Sequence, residues 1–414
     1  MDRSVVITGR GVLGPDIESI DEMDEALNQG SILTNGENNE ILMGIVKADL
    51  NMKGYFKNRK VRRFLSRSEK FATIALKQAF QEANINEGIP SYRKGIFLGN
   101  TKESGSKADL LDVINEIYDH NEKKIDTKAF AKSATTNLSP LFVVEALPNA
   151  CLHYFSAEYG INGENSQFMN NNVASLQALN EAFNSIVNNE SDVVIAGGFD
   201  SYSEEGLYKV LSDRNIISKK SNQDQFQGAF AKYRTAPFLS EGAGMFILEE
   251  KENAIKRNTT VYGEIVGFKQ LFINKTDSEQ QNQLHLKRAL IEFLERVKLK
   301  KSDIQVIHFD ASSSNYYEGI VSKVVLNIFS DSFFVDTKLN FGSMIGANSA
   351  IALLSLLLIL EKQQIPHIPH AGEIDELFKN NIVFNKHKSC NVQHVMLVSS
   401  GFEGEIVIAI VKKF

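Results

Sequence analysis

Short runs rich in valine and isoleucine alternate along this chain with longer segments whose apolar residues recur at helical spacing. The runs lie at residues 5–8, 95–98, 193–196, 245–249, 306–309, 395–399 and 406–411. Apolar runs of this length are typical of strands buried on both faces, and their alternation with helical segments places helices on both sides of the sheet. The pattern therefore predicts an α/β fold.

The organisation of the chain suggests two halves. A strand predicted over residues 260–268 could open a second copy of the first layer, so we predict halves at residues 1–250 and 251–414. Between residues 211 and 233 the sequence lacks sustained periodicity and is rich in Asn, Gln, Ser and Lys, which predicts a long surface loop.

Bulk properties exclude several classes of protein. A net charge of -6, with acids and bases interspersed, provides no basic stripe for a nucleic-acid backbone. The start of the chain turns directly into a strand, which predicts a cytoplasmic protein. The apolar run at residues 350–360 spans about half a bilayer, so we expect a buried helix and no membrane span.

The two cysteines, Cys151 and Cys390, have neither metal-ligand spacing nor a disulfide framework. Cys151 falls in a helical pattern, where a thiol usually packs as a small apolar group. We therefore predict no metal and no cofactor.

Six segments carry a resemblance to a known family. They are 5–15 (VVITGRGVLGP), 139–142 (SPLF), 196–198 (AGG), 238–244 (FLSEGAG), 336–347 (DTKLNFGSMIGA) and 401–404 (GFEG). In this order and spacing they resemble the β-ketoacyl-acyl-carrier-protein synthases. The resemblance covers almost the whole chain and implies a thiolase-like duplicated five-layer αβαβα fold. It also implies a dimer that pairs through the strand near residues 166–169.

The family condenses acyl groups with one cysteine and two histidines. The resemblance places the cysteine position on Asn172, the first histidine on Ser312 and the second on Ser343. A carboxamide cannot form the thioester, and a serine hydroxyl does not titrate in the range that general acid-base catalysis needs. The triplet 170–172 could also be a polar turn in which Asn caps the following helix.

Other family positions are retained or altered. Lys338 is retained, but the acidic residue that usually accompanies it falls on Ala352. Phe402 matches the phenylalanine that gates the acyl pocket, or it is an ordinary core residue. His308, four residues before Ser312, is predicted to be a packed or rim histidine.

Phe142 and Val143 match residues that reach across the dimer interface to the end of the partner's acyl pocket. On that reading Phe142 limits chain length; on the other it packs within its own subunit.

These replacements favour a subunit that performs no condensation. We predict a chain length factor that pairs with an active ketosynthase, acts with an acyl carrier protein, and forms a heterodimer in preference to a homodimer. Three alternatives remain open: a malonyl-carrier decarboxylase, a non-catalytic homodimer that binds a carrier protein or an acyl ligand, and an unconventional condensing enzyme.

Overall fold

The structure is a computed structural model. It describes residues 3–38, 41–85, 88–101, 113–119, 121–138, 147, 149–201, 205–219, 226–310, 316–369 and 372–414. Three residues of the predicted site, Phe142, Val143 and Ser312, lie outside these ranges.

The described strands are numbered in chain order. They are β1 (Val5–Leu13), β2 (Gly36–Asn38), β3 (Ile41–Gly44), β4 (Lys94–Asn100), β5 (Tyr118–Asp119), β6 (Lys124–Ile125), β7 (Asn165–Met169), β8 (Val193–Asp200), β9 (Leu239–Ser240), β10 (Gly242–Glu250), β11 (Gly263–Phe272), β12 (Val306–Phe309), β13 (Phe333–Val335), β14 (Gln364–Ile365), β15 (Lys388–Ser389), β16 (His394–Ser400) and β17 (Glu405–Lys412). Each of the seven predicted runs lies within one of these strands.

The α-helices are α1 (Ile20–Gln29), α2 (Arg67–Ala83), α3 (Thr127–Asn137), α4 (Ala150–Tyr159), α5 (Ala174–Val187), α6 (Glu205–Asp213), α7 (Lys251–Lys256), α8 (Glu279–Arg296), α9 (Tyr316–Ile328), α10 (Lys338–Phe341) and α11 (Asn348–Lys362). Residues 113–117 are also helical. Alternation of strands and helices therefore follows the predicted α/β pattern.

Ten strands form one sheet with a mirrored order. The order is β13-β12-β16-β17-β11-β1-β10-β8-β4-β7, and antiparallel pairing of β1 with β11 joins its two halves. When the five strands of each half are numbered in chain order, both halves have the order first, fifth, fourth, second, third from the centre of the sheet to its edge. Because an internal duplication produces this mirrored order, we propose the end of β10, near residue 250, as the boundary between the halves.

The helices and sheet halves make five layers. Helices α2 and α4 pack on the outer face of the N-terminal half, and α8 and α9 pack on the outer face of the C-terminal half. Helices α5 and α11 contact each other between the two halves. The predicted thiolase-like αβαβα architecture is confirmed.

Alternating side chains of the sheet explain these layers. In β10, Phe246 and Leu248 face the central layer, whereas Met245 and Ile247 face the outer layer. Successive side chains of a strand point to opposite faces, so a strand covered on both sides is apolar throughout. In β1, a side chain at Gly11 would collide with the main chain of α2, so this glycine permits the close approach of helix and strand.

The central helix α11 is the predicted buried helix over 350–360. Within the described chain, Ile345–Lys362 is long and apolar enough to cross a membrane by length and composition, but 89% of it is buried inside the protein. Its apolar surface is therefore accounted for by the core.

The prediction of a surface loop over residues 211–233 is corrected in part: the described residues 214–219 and 226–233 lie outside helices and strands, but many of them are buried. Helix α6 extends to Asp213, and Ile217, Phe226 and Phe230 are buried. Phe230 packs against Phe309 and Phe378. Isolated apolar residues in a polar segment anchor it to the core without producing any periodic pattern.

Candidate active site

Asn172 lies in a turn that connects strand β7 to helix α5. The strand ends at Met169, a 3-10 turn covers Asn171–Val173, and α5 begins at Ala174. Asn171 has φ 46°, in the left-handed region that asparagine tolerates better than most residues. The predicted strand-to-helix turn is thus present, and Asn172 is buried in it.

The amide of Asn172 does not cap this helix. Neither the 3-10 turn nor α5 has a side-chain capping bond at its start. The alternative interpretation of the triplet as a capping turn is therefore wrong for Asn172, whose side chain is directed to other elements.

Asn348 bridges two of the family positions. Its Nδ2 donates to Asn172 Oδ1 at 2.6 Å and to Ser343 Oγ at 3.0 Å. The other end of the Asn172 amide donates to the carbonyl of Ser400 at 3.4 Å. Sequence reasoning missed Asn348, whose only signal was a polar residue at the start of a long apolar helix.

The main chain of Asn172 is bonded as well. Its carbonyl oxygen accepts from Ser349 Oγ at 2.6 Å and from Ser399 Oγ at 3.4 Å. Ser349 Oγ also lies 2.7 Å from Ser399 Oγ. These partners are amides and hydroxyls, which donate and accept hydrogen bonds but do not exchange protons near neutral pH. Nothing in this set supplies the thiolate or the base that condensation needs.

Lys338 is paired, although Ala352 stands where its family partner would be. Its Nζ lies 2.8 Å from Asp310 Oδ1 and 3.8 Å from Glu318 Oε1, and all three side chains are buried. Burial alone would lower the pKa of Lys338, but the carboxylates of Asp310, Glu318 and Asp336 outweigh burial and raise it. The expectation of a lysine without an acidic partner is corrected: Asp310 and Glu318 take that place, so the ammonium stays charged.

His308 is a packed histidine, as predicted. Its ring is 1% exposed, and Nε2 accepts the main-chain N–H of Thr337 at 3.2 Å. The ring proton therefore resides on Nδ1, which has no hydrogen-bond partner among the residues that the structure describes. The buried imidazole is neutral at physiological pH.

Protonation of His308 should make stability depend on pH. Burial lowers the pKa of His308 from 6.5 to about 4; the Asp310 carboxylate opposes this shift and the Lys338 cation adds to it. Between these values the unfolded chain binds a proton that the folded chain does not bind. The free energy of unfolding is therefore unaffected by His308 above pH 6.5 and decreases as the pH is lowered towards 4. The decrease is up to about 3 kcal/mol, at 1.36 kcal/mol per pKa unit.

Denaturant unfolding of wild type and His308→Gln at several pH values measures this effect. The variant should lose stability less steeply than wild type between pH 6.5 and 4. His153→Gln is the matched control, because His153 is exposed. Equal slopes for wild type and His308→Gln would show that the imidazole makes no contribution.

Phe402 packs within its own subunit. It is buried against Met43, Leu239 and Ile345, in a cluster that also contains Leu211, Ile216 and Ile217. This contact set agrees with the core interpretation of Phe402. Its gating role stays a prediction.

A basic surface segment is not among the site residues predicted from the sequence. Five of the seven residues at 57–63 are basic: Lys57, Arg59, Lys60, Arg62 and Arg63. All five side chains are exposed, and within the described part of the chain none of them forms an ion pair. We call this segment the basic run. The charge summed over a window of seven residues identifies this segment, whereas the net charge of the whole chain does not.

An apolar groove of about 450 Å³ lies beside the basic run. Its lining includes Phe56, Val61, Phe64, Tyr154 and Ala157. Exposed cations next to an apolar groove form a surface that can bind an acidic partner.

Comparison with known proteins identifies the class to which this fold and site belong. Residues 2–254 match the family model of the β-ketoacyl synthase N-terminal domain, which is more than half of the chain. The chain is 24% identical over 432 residues to 3-oxoacyl-(acyl-carrier-protein) synthase 2 of Staphylococcus aureus (strain COL), covering 100% of this chain and 99% of the relative.

Two solved structures share the fold over 100% of both chains. The ishigamide ketosynthase/chain length factor has a TM-score of 0.84 at 18% identity. A type II PKS acyl-carrier protein in complex with its ketosynthase bound to the hexaketide has a TM-score of 0.82 at 19% identity. The chain belongs to the β-ketoacyl synthase family.

Proposed function

We propose that this chain is a non-catalytic member of the family, a chain length factor. It pairs with an active β-ketoacyl-acyl-carrier-protein synthase and shapes its acyl tunnel during polyketide, polyene or fatty-acid chain elongation. One observation carries the proposal: the position of the nucleophile holds Asn172, whose amide and carbonyl are bonded to Asn348, Ser349 and Ser400. A carboxamide is a poor nucleophile and is not deprotonated near neutral pH, so it does not attack a thioester as a thiolate does.

The open edge of the sheet supports pairing with a second subunit. Strand β7 is the outermost strand of the N-terminal half of the sheet and, among the described strands, bonds only to β4. Its counterpart in the mirrored order, β13, is covered, because Phe334 donates its N–H to the carbonyl of Asn381 at 2.6 Å. An exposed edge strand is a template for pairing with another chain. We therefore assign β7 to the dimer interface.

Exposed apolar side chains also support a protein interface. Met169 at the end of β7 is 52% exposed, and Phe130 of α3 and Ile125 of β6 are 42% and 57% exposed. Within α3, Ser133 is the only buried residue among those described. A helix that buries so little in its own subunit gains most of its stability from a partner. The resulting interface would be large and apolar, as in obligate dimers.

The basic run supports the proposed carrier-protein partner. Its five exposed cations have no ion-pair partner in the described chain, and two of them, Lys57 and Lys60, line the apolar groove beside Phe56 and Tyr154. Charge complementarity speeds encounter and selects an acidic surface over a basic one. We propose that an acyl carrier protein docks here.

The alternatives differ in their partners and their chemistry. A homodimer that binds a carrier protein would use the same edge and the same basic run. Malonyl decarboxylation is disfavoured at this site, because the described contacts of Asn172 and Ser343 contain no imidazole to stabilise an enolate. An unconventional condensing enzyme would need a nucleophile other than Cys151, which is fully buried in α4.

The proposal is tested by purifying the protein with its native partners and measuring acyl transfer. The isolated chain, incubated with acyl-carrier and malonyl-carrier protein, should acquire no acyl adduct in intact mass, while the pair with its ketosynthase should release product. Asn172→Cys alone should not restore condensation, because no base accompanies the thiol. A thioester on the isolated chain, or a homodimer that never exchanges subunits with a co-encoded ketosynthase, would contradict the proposal.

The tunnel role of Phe142 makes a separate prediction. If Phe142 closes the end of the partner's pocket, Phe142→Ala in the reconstituted pair should shift released chains to greater length, because the truncation frees several methylene-sized volumes. If it packs within its own core, the same change should instead lower stability by about 3 to 5 kcal/mol. Sizing of products together with thermal unfolding separates the two outcomes, and Val143→Ala provides a smaller truncation for comparison.

A further inference from the structure

We propose that the polar residues at the former nucleophile position form a clamp that holds strand β7 ready to pair with a second subunit. The clamp consists of Asn172, Ser343, Asn348, Ser349, Ser399 and Ser400. This inference rests on the proposed function only for the identity of the second subunit. The clamp itself is formed by contacts within one chain.

The clamp joins the two halves of the chain. Asn172 belongs to the N-terminal half, whereas its partners Asn348, Ser349, Ser399 and Ser400 belong to the C-terminal half. The four bonds use the side-chain oxygen, the side-chain nitrogen and the carbonyl of one residue. All polar groups of Asn172 except its main-chain N–H therefore form hydrogen bonds to the C-terminal half.

Two further bonds reinforce the same junction. The N–H of Ala350 donates to Ser175 Oγ at 3.1 Å, and the N–H of Gly346 donates to Asp200 Oδ2 at 3.0 Å. A side chain at Gly198 would collide with Ser175 and with the carbonyl of Gly346, so the glycine keeps this junction close. The first turns of α5 and α11 are thus connected at one buried point.

Strand β7 depends on this junction. Within the described part of the chain it has a neighbouring strand on one side only, and Asn172 follows its last residue, Met169, by three positions. Besides the ladder to β4, the strand is held by Gln167, whose Nε2 donates to Asn100 Oδ1 at 2.9 Å. The clamp fixes the chain immediately after the strand. It therefore restricts how far the open edge can move away from its pairing position.

The cysteine of the active family would not serve in this clamp. A thiol is a weak donor and a weak acceptor, and it cannot bond to Asn348 and Ser400 at opposite ends as a carboxamide does. Loss of the amide would remove an acceptor from Asn348 Nδ2 and a donor from the Ser400 carbonyl at a buried site. A buried polar group that loses its partner is destabilising. Asn172 is therefore a positioning residue, and cysteine at this position should hold strand β7 less firmly than asparagine does.

Hydrogen exchange of the isolated protein tests the clamp. Asn172→Ala and Asn172→Cys should each increase the exchange rate of the amides at residues 165–169 by about tenfold or more over wild type, because an unsatisfied buried group favours local opening. Asn188→Ala is the matched control, since Asn188 is exposed at the end of the same helix and should leave these rates unchanged.

Further variants keep the test decisive. If the Asn172 variants fold poorly, Ser349→Ala removes one bond to the Asn172 carbonyl and should give a smaller increase at the same amides. The effects of Asn172→Ala and Asn348→Ala should be less than additive in the double variant, because both remove the same bond. Unchanged exchange at residues 165–169, or exchange that rises equally throughout the chain, would overturn the clamp.

Association separates this inference from the proposed function. Wild type and Asn172→Ala are titrated against the co-encoded ketosynthase and against themselves, and the variant should dissociate more readily from whichever subunit wild type binds. If wild type pairs only with itself, the chain length factor proposal fails while the clamp stands. If the variant binds as tightly as wild type, the clamp does not position β7, and the inference fails.

Discussion

Replacing Lys338 with methionine should lower the free energy of unfolding by about 3 to 5 kcal/mol, the usual effect of removing one partner of a buried ion pair. Lys338 lies 2.8 Å from Asp310 and 3.8 Å from Glu318, and each of these side chains is no more than 8% exposed. Methionine has a similar volume, so the packing is largely kept. Without the ammonium, two buried carboxylates lose their counter-charge.

The pH dependence identifies the charge as the cause. The difference in stability between wild type and Lys338→Met should shrink as the pH is lowered, because buried carboxylates without a counter-charge bind protons more readily. Lys323→Met is the matched control: Lys323 lies in α9, pairs with Glu279 and is exposed, so its removal should change stability little. A difference for Lys338→Met that stays constant with pH would point to packing instead.

Reversing the charge of Arg59, Arg62 and Arg63 to glutamate should weaken binding of the acyl carrier protein by roughly a hundredfold or more at low salt. These side chains are exposed and unpaired within the described chain. Reversal therefore removes attraction and adds repulsion without breaking any internal ion pair. Wild-type affinity should fall steeply with salt, and the affinity of the variant should depend on salt much less.

A second basic segment supplies the control for this experiment. Lys298, Lys300 and Lys301 are also exposed, and their reversal changes the net charge by the same amount on a different surface. That variant should bind the carrier protein nearly as well as wild type. Equal losses in both variants would mean that total charge governs binding, and the basic run would then not be the docking site.

The two experiments separate the internal and external roles of the scaffold. The first tests whether the buried charges of Lys338, Asp310 and Glu318 balance one another. The second tests whether an acyl carrier protein docks on the basic run.

Local sequence patterns were sufficient to predict the class of fold. The valine and isoleucine runs predicted seven strands, because a strand buried on both faces must be apolar at every position. The resemblance placed Asn172 in a strand-to-helix turn, and the structure has that turn at Asn171–Val173. These features depend on residues close together in the chain, where spacing alone carries the information.

Only the tertiary structure determined how distant residues meet. Lys338 in α10 pairs with Glu318 in α9, 20 positions away. The bridge from Asn348 to Asn172, 176 positions away, follows from the packing of α11 against α5. No periodicity records such contacts, because a polar residue at the start of a helix has the same local pattern whether it faces water or a buried amide. The burial of Phe226 and Phe230 in a polar segment was hidden for the same reason.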